Sequence, residues 1–190
     1  MKGAMRNASF KELTSIVAVM LATSLGASAA DAEGPSKTTA ISTEYIATMY
    51  APLNAPQAAN SNLLIFHPKD GGWFDGAIKA QLMNPAGDWV RVMPNGSMRI
   101  DVRLTAKLDD GELLYVTYGG VLRKPDAASW ERFMKGEKIS APSWYYVITP
   151  VFETVSKSYA WLNDVQAIGK FVSIQSGAQA HVRFDIYAVR

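Results

Sequence analysis

From Met98 to Lys107 apolar and polar side chains alternate without a break. Met98, Ile100, Val102, Leu104 and Ala106 fall on one face, and Arg99, Asp101, Arg103, Thr105 and Lys107 on the other. A period of two marks a strand with one face buried and one wetted. The stretch 180–189 repeats it, setting Ala180, Val182, Phe184, Ile186 and Ala188 against His181, Arg183, Asp185 and Tyr187. Further strands are expected at 44–50, 62–67, 76–83, 88–93, 112–119, 144–150, 158–163 and 167–175. Asn95-Gly96, Asp110-Gly111 and Ser176-Gly177 stand between such runs and supply hairpin turns, because these residues accept positive φ. One segment breaks the period. In 126–135, Asp126 follows Pro125 as an N-cap, Trp130, Phe133 and Met134 fall at i, i+3 and i+4, and Gly136 ends the run, which predicts a short helix with one apolar face. This pattern is all-β: a single antiparallel β-barrel of about 8–10 strands with one short helix. The Trp130, Phe133, Met134 stripe is then the buried face of the helix, set as a plug over a barrel end.

The strand pattern starts only near residue 44, and the chain before it reads differently. Lys2, Arg6 and Lys11 precede an apolar run, Thr14 to Leu25, and Ala27-Ser28-Ala29 follows as an A-x-A cleavage pattern. These are the three regions of a secretory signal peptide, and the run is short of a bilayer span. The expected organisation is a signal peptide at 1–29, a small-residue flexible leader at 30–43 and a barrel domain at 44–190, periplasmic or secreted. Removing 1–29 takes away three of the 19 basic and one of the 17 acidic side chains, leaving sixteen of each. The net charge of +2 therefore belongs largely to the leader, and neither nucleic acid nor a stable membrane span is an expected partner. With no Cys in 190 residues, thiolate nucleophiles, iron–sulfur clusters and cysteine-based zinc sites are excluded.

The Asn95-Gly96 turn carries a finer expectation. In a two-residue loop, positions whose numbers sum to 191 would face each other. Asp88 would then oppose Arg103, Val90 would oppose Asp101, and Trp89 would oppose Val102. Asp88, Asp101 and Arg103 would share one face, and a one-residue slip would separate them.

Several strings form a set: Gly71-Gly72-Trp73-Phe74-Asp75-Gly76, Gly87-Asp88-Trp89, Asp101-Val102-Arg103, Asp109-Asp110-Gly111, Pro150-Val151-Phe152-Glu153-Thr154 and Tyr159-Ala160-Trp161-Leu162-Asn163. Their order over 44–190 resembles the family named for domain of unknown function 3237, also catalogued as uncharacterised protein family 0311. The resemblance implies a single antiparallel β-barrel and brings no established reaction. The chain departs from the pattern at Leu63–Pro68, where an Arg commonly precedes the Gly-Gly turn.

Three groups of residues could carry chemistry. Asp88, Asp101 and Arg103, if lumenal, would pair a proton shuttle with an anion-binding guanidinium; if outside, they form an ordinary surface ion pair. Glu153 with Tyr159, Trp161 and Asn163, the last three on one face of the strand expected at 158–163, would wall a flat ligand, joined by Trp89 and Tyr118. Tyr118, Tyr145 and Tyr146 could donate to an oxyanion, or simply fill a β core with their hydroxyls at the rim. His67 and His181, the only histidines, fit no H-x-H or H-E-x-x-H spacing, so no metal is expected. With no G-x-S-x-G, Walker loop or G-x-G-x-x-G after a strand, neither hydrolase nor nucleotide chemistry is expected, and no cofactor.

These features converge on an exported barrel that binds a small apolar or aromatic molecule. As an enzyme it would be a cofactor-free isomerase, lyase or dehydratase, with Asp88 or Asp101 as base and Arg103 and Tyr146 stabilising an oxyanion. A non-catalytic carrier and a small outer-membrane barrel are the other readings. Exposed aromatic faces would also suit a homodimer.

Overall fold

The computed structural model describes residues 40–190, so the expected signal peptide and most of the leader lie outside the described residues. Eleven strands follow: β1 (Thr43–Pro52), β2 (Gln57–Asn60), β3 (Leu63–Phe66), β4 (Trp73–Gly76), β5 (Ala80–Val92), β6 (Met98–Leu108), β7 (Leu113–Leu122), β8 (Ile139–Ser140), β9 (Tyr146–Thr154), β10 (Ala167–Gln175) and β11 (His181–Val189). One α-helix, α1 (Ala127–Met134), lies between β7 and β8. Eight strands close a ring in the order β5-β4-β1-β11-β10-β9-β7-β6, sealed by the β5–β6 pairing. The β2–β3 hairpin pairs with the outer half of β5, and β8 with the end of β10.

The alternation read from the sequence survives intact in β6: Ile100, Val102, Leu104, Ala106 and Leu108 are buried, while Arg99, Asp101, Arg103 and Lys107 are exposed. A charged exterior around an apolar interior is the reverse of a transmembrane barrel, whose apolar band faces lipid. Three expectations need correction. The runs at 76–83 and 88–93 belong largely to one long strand, β5, irregular between Met83 and Gly87. Residues 158–163 are not a strand, since the chain turns and forms a 3-10 helix at Ala160–Asp164. The strand expected at 44–50 begins one residue earlier and runs on to Pro52, with Thr43 already paired with Val189.

A fourth correction, of register, decides the site. The β5–β6 hairpin turns through three residues, Pro94, Asn95 and Gly96: the Gly96 N–H donates to Met93 O and the Met93 N–H to Ser97 O, both at 2.8 Å. Gly96 takes φ +79°, the left-handed position that closes a three-residue hairpin loop. Opposed residues therefore sum to 190, not 191. Asp88 faces Val102, and Gly87 takes the place opposite Arg103.

The two ends of the barrel differ. At one, Phe152, Phe184, Leu114, Ile78, Leu162 and Ile186 fill the interior with almost no exposure. Ile148 sits deep in the wall beside Gly169, where a Cβ would lie 2.5 Å from Ile148 Cγ1, so only glycine admits this packing. At the other end the strands splay around a cavity covered by α1.

Candidate functional site

The cavity has a volume of about 530 Å³ and a wall that is overwhelmingly apolar. Leu64, Phe66, Val90, Ile100, Val102 and Leu104 line its strand walls. Trp130, Phe133 and Met134 of α1 line its mouth, so the helical stripe does cap a barrel end, but it is not the buried face expected: Trp130 and Phe133 are half-buried, Met134 is 63% exposed, and Ser129 is the buried residue of the helix. The helix is held there by identifiable bonds. Asp126 accepts from the Ser129 N–H at 2.8 Å as the N-cap, and the Trp144 indole N–H donates to Ser129 Oγ at 2.8 Å. Ser176 Oγ donates to the Phe133 carbonyl, and Gln175 Nε2 donates to Gly136 O at 3.0 Å. Around Trp144 the aromatic rings form a continuous cluster: Trp130 at 6.0 Å, Phe133 at 5.3 Å and Phe171 at 6.4 Å between centroids, with Tyr146 stacked on Phe171 at 6.0 Å.

Asp88 enters this wall because of the three-residue turn. Its cross-strand neighbours, Val102 on β6 and Phe66 on β3, both line the cavity. Asp88 Oδ1 is fully covered and has no hydrogen-bond partner. Burial pushes the carboxyl up to about 7; the Asp101 main chain pulls it down, and the Asp101 carboxylate adds to the rise. Taking a carboxylate out of water without a cation favours the neutral acid, which accounts for the direction. Tyr118 and Tyr146 join Asp88 in the lining, both nearly inaccessible. Burial raises the pKa of each phenol, the charge of Asp88 raises both further, and Tyr118 adds to the rise at Tyr146. Both remain neutral donors at any ordinary pH. An acid that changes charge near neutrality, beside two phenolic O–H groups in a dry cavity, is suited to moving a proton or holding a ligand oxygen.

The other expected residues lie elsewhere. Asp101 and Arg103 point outward and form an exposed ion pair at 3.0 Å, with side chains 59% and 55% accessible. They do not share a face with Asp88, because the turn has one more residue than the two-residue loop assumed. Trp89, expected among the ligand-binding residues, lies on the outer face, with its ring 3.0 Å from where a Gly87 Cβ would stand. Glu153 is exposed on the outside of β9, opposite Tyr115. Tyr159, Trp161 and Asn163 share no strand face. Tyr159 donates to Asp109 Oδ1 at 2.8 Å, and Asn163 exchanges hydrogen bonds with the Thr154 main chain at 2.9 and 3.0 Å, all at the filled end. Of the tyrosine trio, Tyr145 is outside under the Arg123 guanidinium, 4.0 Å from its ring centroid. Sequence reasoning missed Trp144, which is buried from the bend before β9. His67 contacts Ala86 O at 3.4 Å and His181 contacts Gln179 O at 2.8 Å; among the described residues no cluster of metal-ligating side chains occurs.

A family model described as protein of unknown function, DUF3237, matches residues 41–189. The chain belongs to the DUF3237 family. A UPF0311 protein of Clostridium acetobutylicum is 32% identical over 71 residues, a match spanning 37% of this chain and 44% of that relative. Two solved structures share the fold of this DUF3237 chain. A β-barrel-like protein from Acinetobacter baumannii is 27% identical, with a TM-score of 0.63 over 83% of this chain and 99% of that one. An enzyme from Penicillium herquei is 15% identical, with a TM-score of 0.53 over 83% of this chain and all of that one.

Proposed function

We propose that the open end of the barrel binds a small, largely apolar molecule and that Asp88 carries out cofactor-free proton transfer on it, as in an isomerase, lyase or dehydratase. Tyr118 and Tyr146 donate hydrogen bonds to the oxygen on which charge develops, the role earlier expected of Arg103. One observation carries this reading: a buried carboxyl oxygen, Asp88 Oδ1, without a hydrogen-bond partner in the wall of a 530 Å³ apolar cavity. A carboxyl at such a site costs stability unless something occupies the space in front of it. The Penicillium herquei enzyme adds support, since this barrel is also used for catalysis. Export to the periplasm or medium rests on the N-terminal pattern of residues 1–29.

The purified protein is exposed to a cell extract and examined by native mass spectrometry, and the retained molecule is incubated with wild type and with Asp88→Asn. Conversion by wild type alone is expected. Recovery of the same unchanged molecule from both proteins overturns catalysis and leaves a carrier.

A further inference from the structure

The charge of the cavity is as informative as its shape. Its lining contains no Lys, Arg or His, and its only titratable groups are Asp88, Tyr118 and Tyr146. Every basic residue on β5, β6 and β7 is exposed on the outer surface: Arg91, Arg99, Arg103 and Lys107. A carboxylate or phosphate entering this space would lose its hydration and meet no counter-charge, beside a carboxyl group that itself tends to ionise. Asn54, Gln175 and Ser176 also line the cavity but donate to the Pro68, Gly136 and Phe133 carbonyls, which leaves as donors to a neutral oxygen the two phenolic O–H groups and, when protonated, the Asp88 acid. An organic cation is disfavoured less strongly: the ring faces attract it, but it would lose its hydration to reach a single carboxyl group that burial favours in the neutral form. The stacked rings of Trp130 and Trp144, with Phe133 tilted against the first and edge-on to the second, favour a flat partner.

We propose that the cavity selects an uncharged, flat aromatic molecule bearing a carbonyl oxygen, received by Tyr118, Tyr146 and the protonated Asp88, and that it rejects anions. This rests on the reading of the lumen as a ligand site and adds the chemical class of the ligand. The groups facing Asp88 are few. Tyr118 comes from β7 and Tyr146 from β9, with Val102, the Asp101 main chain and, from the outer side, the Asp101 carboxylate paired with Arg103 from β6, and Phe66 from β3, while His67 beyond Phe66 engages Ala86 O. None brings a positive charge into the lumen. Carbonyl binding therefore requires the acid form of Asp88 and weakens as pH rises through about 7.

Four probes separate the possibilities: naphthalene, 2-acetylnaphthalene, 2-naphthoate and 2-naphthylmethylammonium, titrated against the emission of Trp130 and Trp144 at pH 5.5 and 8.5. The ketone is expected to bind roughly tenfold tighter than naphthalene or naphthoate at pH 5.5, a difference of the size one or two good hydrogen bonds supply. It should weaken several-fold at pH 8.5 in wild type but not in Asp88→Asn, whose amide stays a donor at both pH values. Naphthoate binding as tightly as the ketone, or the ammonium binding more tightly than it, overturns the proposal. So does naphthalene binding while the ketone gains nothing over it, an outcome that leaves the lumen a ligand site. Failure of all four to bind removes the lumen as a ligand site and the proposal with it.

Discussion

At the end of the barrel built from Leu114, Phe152, Leu162 and Ile186, buried polar groups meet partners: Tyr159 with Asp109 and Ser156 with Asp110. At the opposite end the same strands surround a cavity in which Asp88 Oδ1 has no partner. The long ring strands, such as β6 and β7, contribute side chains to both ends, so strand chemistry does not explain the contrast. The difference lies in what closes each end. The 3-10 helix at Ala160–Asp164 drives Leu162 into the interior, whereas α1 lays Trp130 and Phe133 across the mouth without filling the space below. Stability is concentrated at the filled end, and the open end gives some of it up, which is the usual cost of a site that must receive something else.

The sharpest way to break this comparison is to truncate one ring at each end. Phe152→Ala should lose about 3–5 kcal/mol in urea unfolding, since a fully buried phenyl leaves a cavity that cannot collapse. Phe133→Ala, at the partly exposed mouth, should lose about 1 kcal/mol and weaken binding of an aromatic probe. Equal losses would mean that the mouth is as much a part of the core as the filled end.

Asp88→Asn should move stability the other way. In the folded protein Asp88 keeps its proton up to about pH 7, while the unfolded chain releases it near 3.8. Between those values the native state binds more protons, so stability falls as pH rises across that window and is level above it. The full shift would correspond to up to about 4 kcal/mol, reduced by whatever water enters the cavity. The Asn variant should therefore match wild type near pH 4 and exceed it at pH 8, measured by chemical unfolding at both. A group kept at a cost to stability, whose loss abolishes turnover, would place the open end under functional constraint.

Removing a single hydroxyl at the filled end has a smaller effect. Tyr159→Phe removes the hydroxyl bond to Asp109 and should cost about 1–2 kcal/mol without changing ligand affinity, read by unfolding and by probe titration together. The hydroxyl also illustrates how far the sequence could be read. Period-two alternation revealed β1, β6, β10 and β11 almost to the residue, because burying one face of a strand leaves its mark on every second position. It also placed α1 and its apolar stripe. Residues 158–163 imitated the same alternation by chance of spacing, but the segment follows the turn at Lys157–Tyr159 and winds into a 3-10 helix. Tyr118 and Tyr146 are legible as interior residues; Trp144 is not, because it is buried from the bend before β9, where strand alternation carries no signal. Asp88 was singled out for the wrong partners, since one residue of turn length is invisible to hydrophobic periodicity yet decides which carboxylates look inward.

The smallest expected effect tests that last point directly. Arg103→Ala breaks the ion pair with Asp101, but both side chains are more than half exposed, where water and salt screen the attraction and the freed side chains regain conformational freedom. Stability should change by no more than about 1 kcal/mol, less at high salt, and affinity for an aromatic probe should not change. The two-residue turn would predict something different, because it places the guanidinium against Asp88. Its loss would then leave a buried carboxylate without its cation, with a large penalty and an altered pH profile of binding. A titration of wild type and Arg103→Ala across pH 5 to 9 distinguishes these cases. Superimposable curves place Arg103 on the outer wall and leave Asp88, with its two phenols, as the charge-bearing group of the lumen.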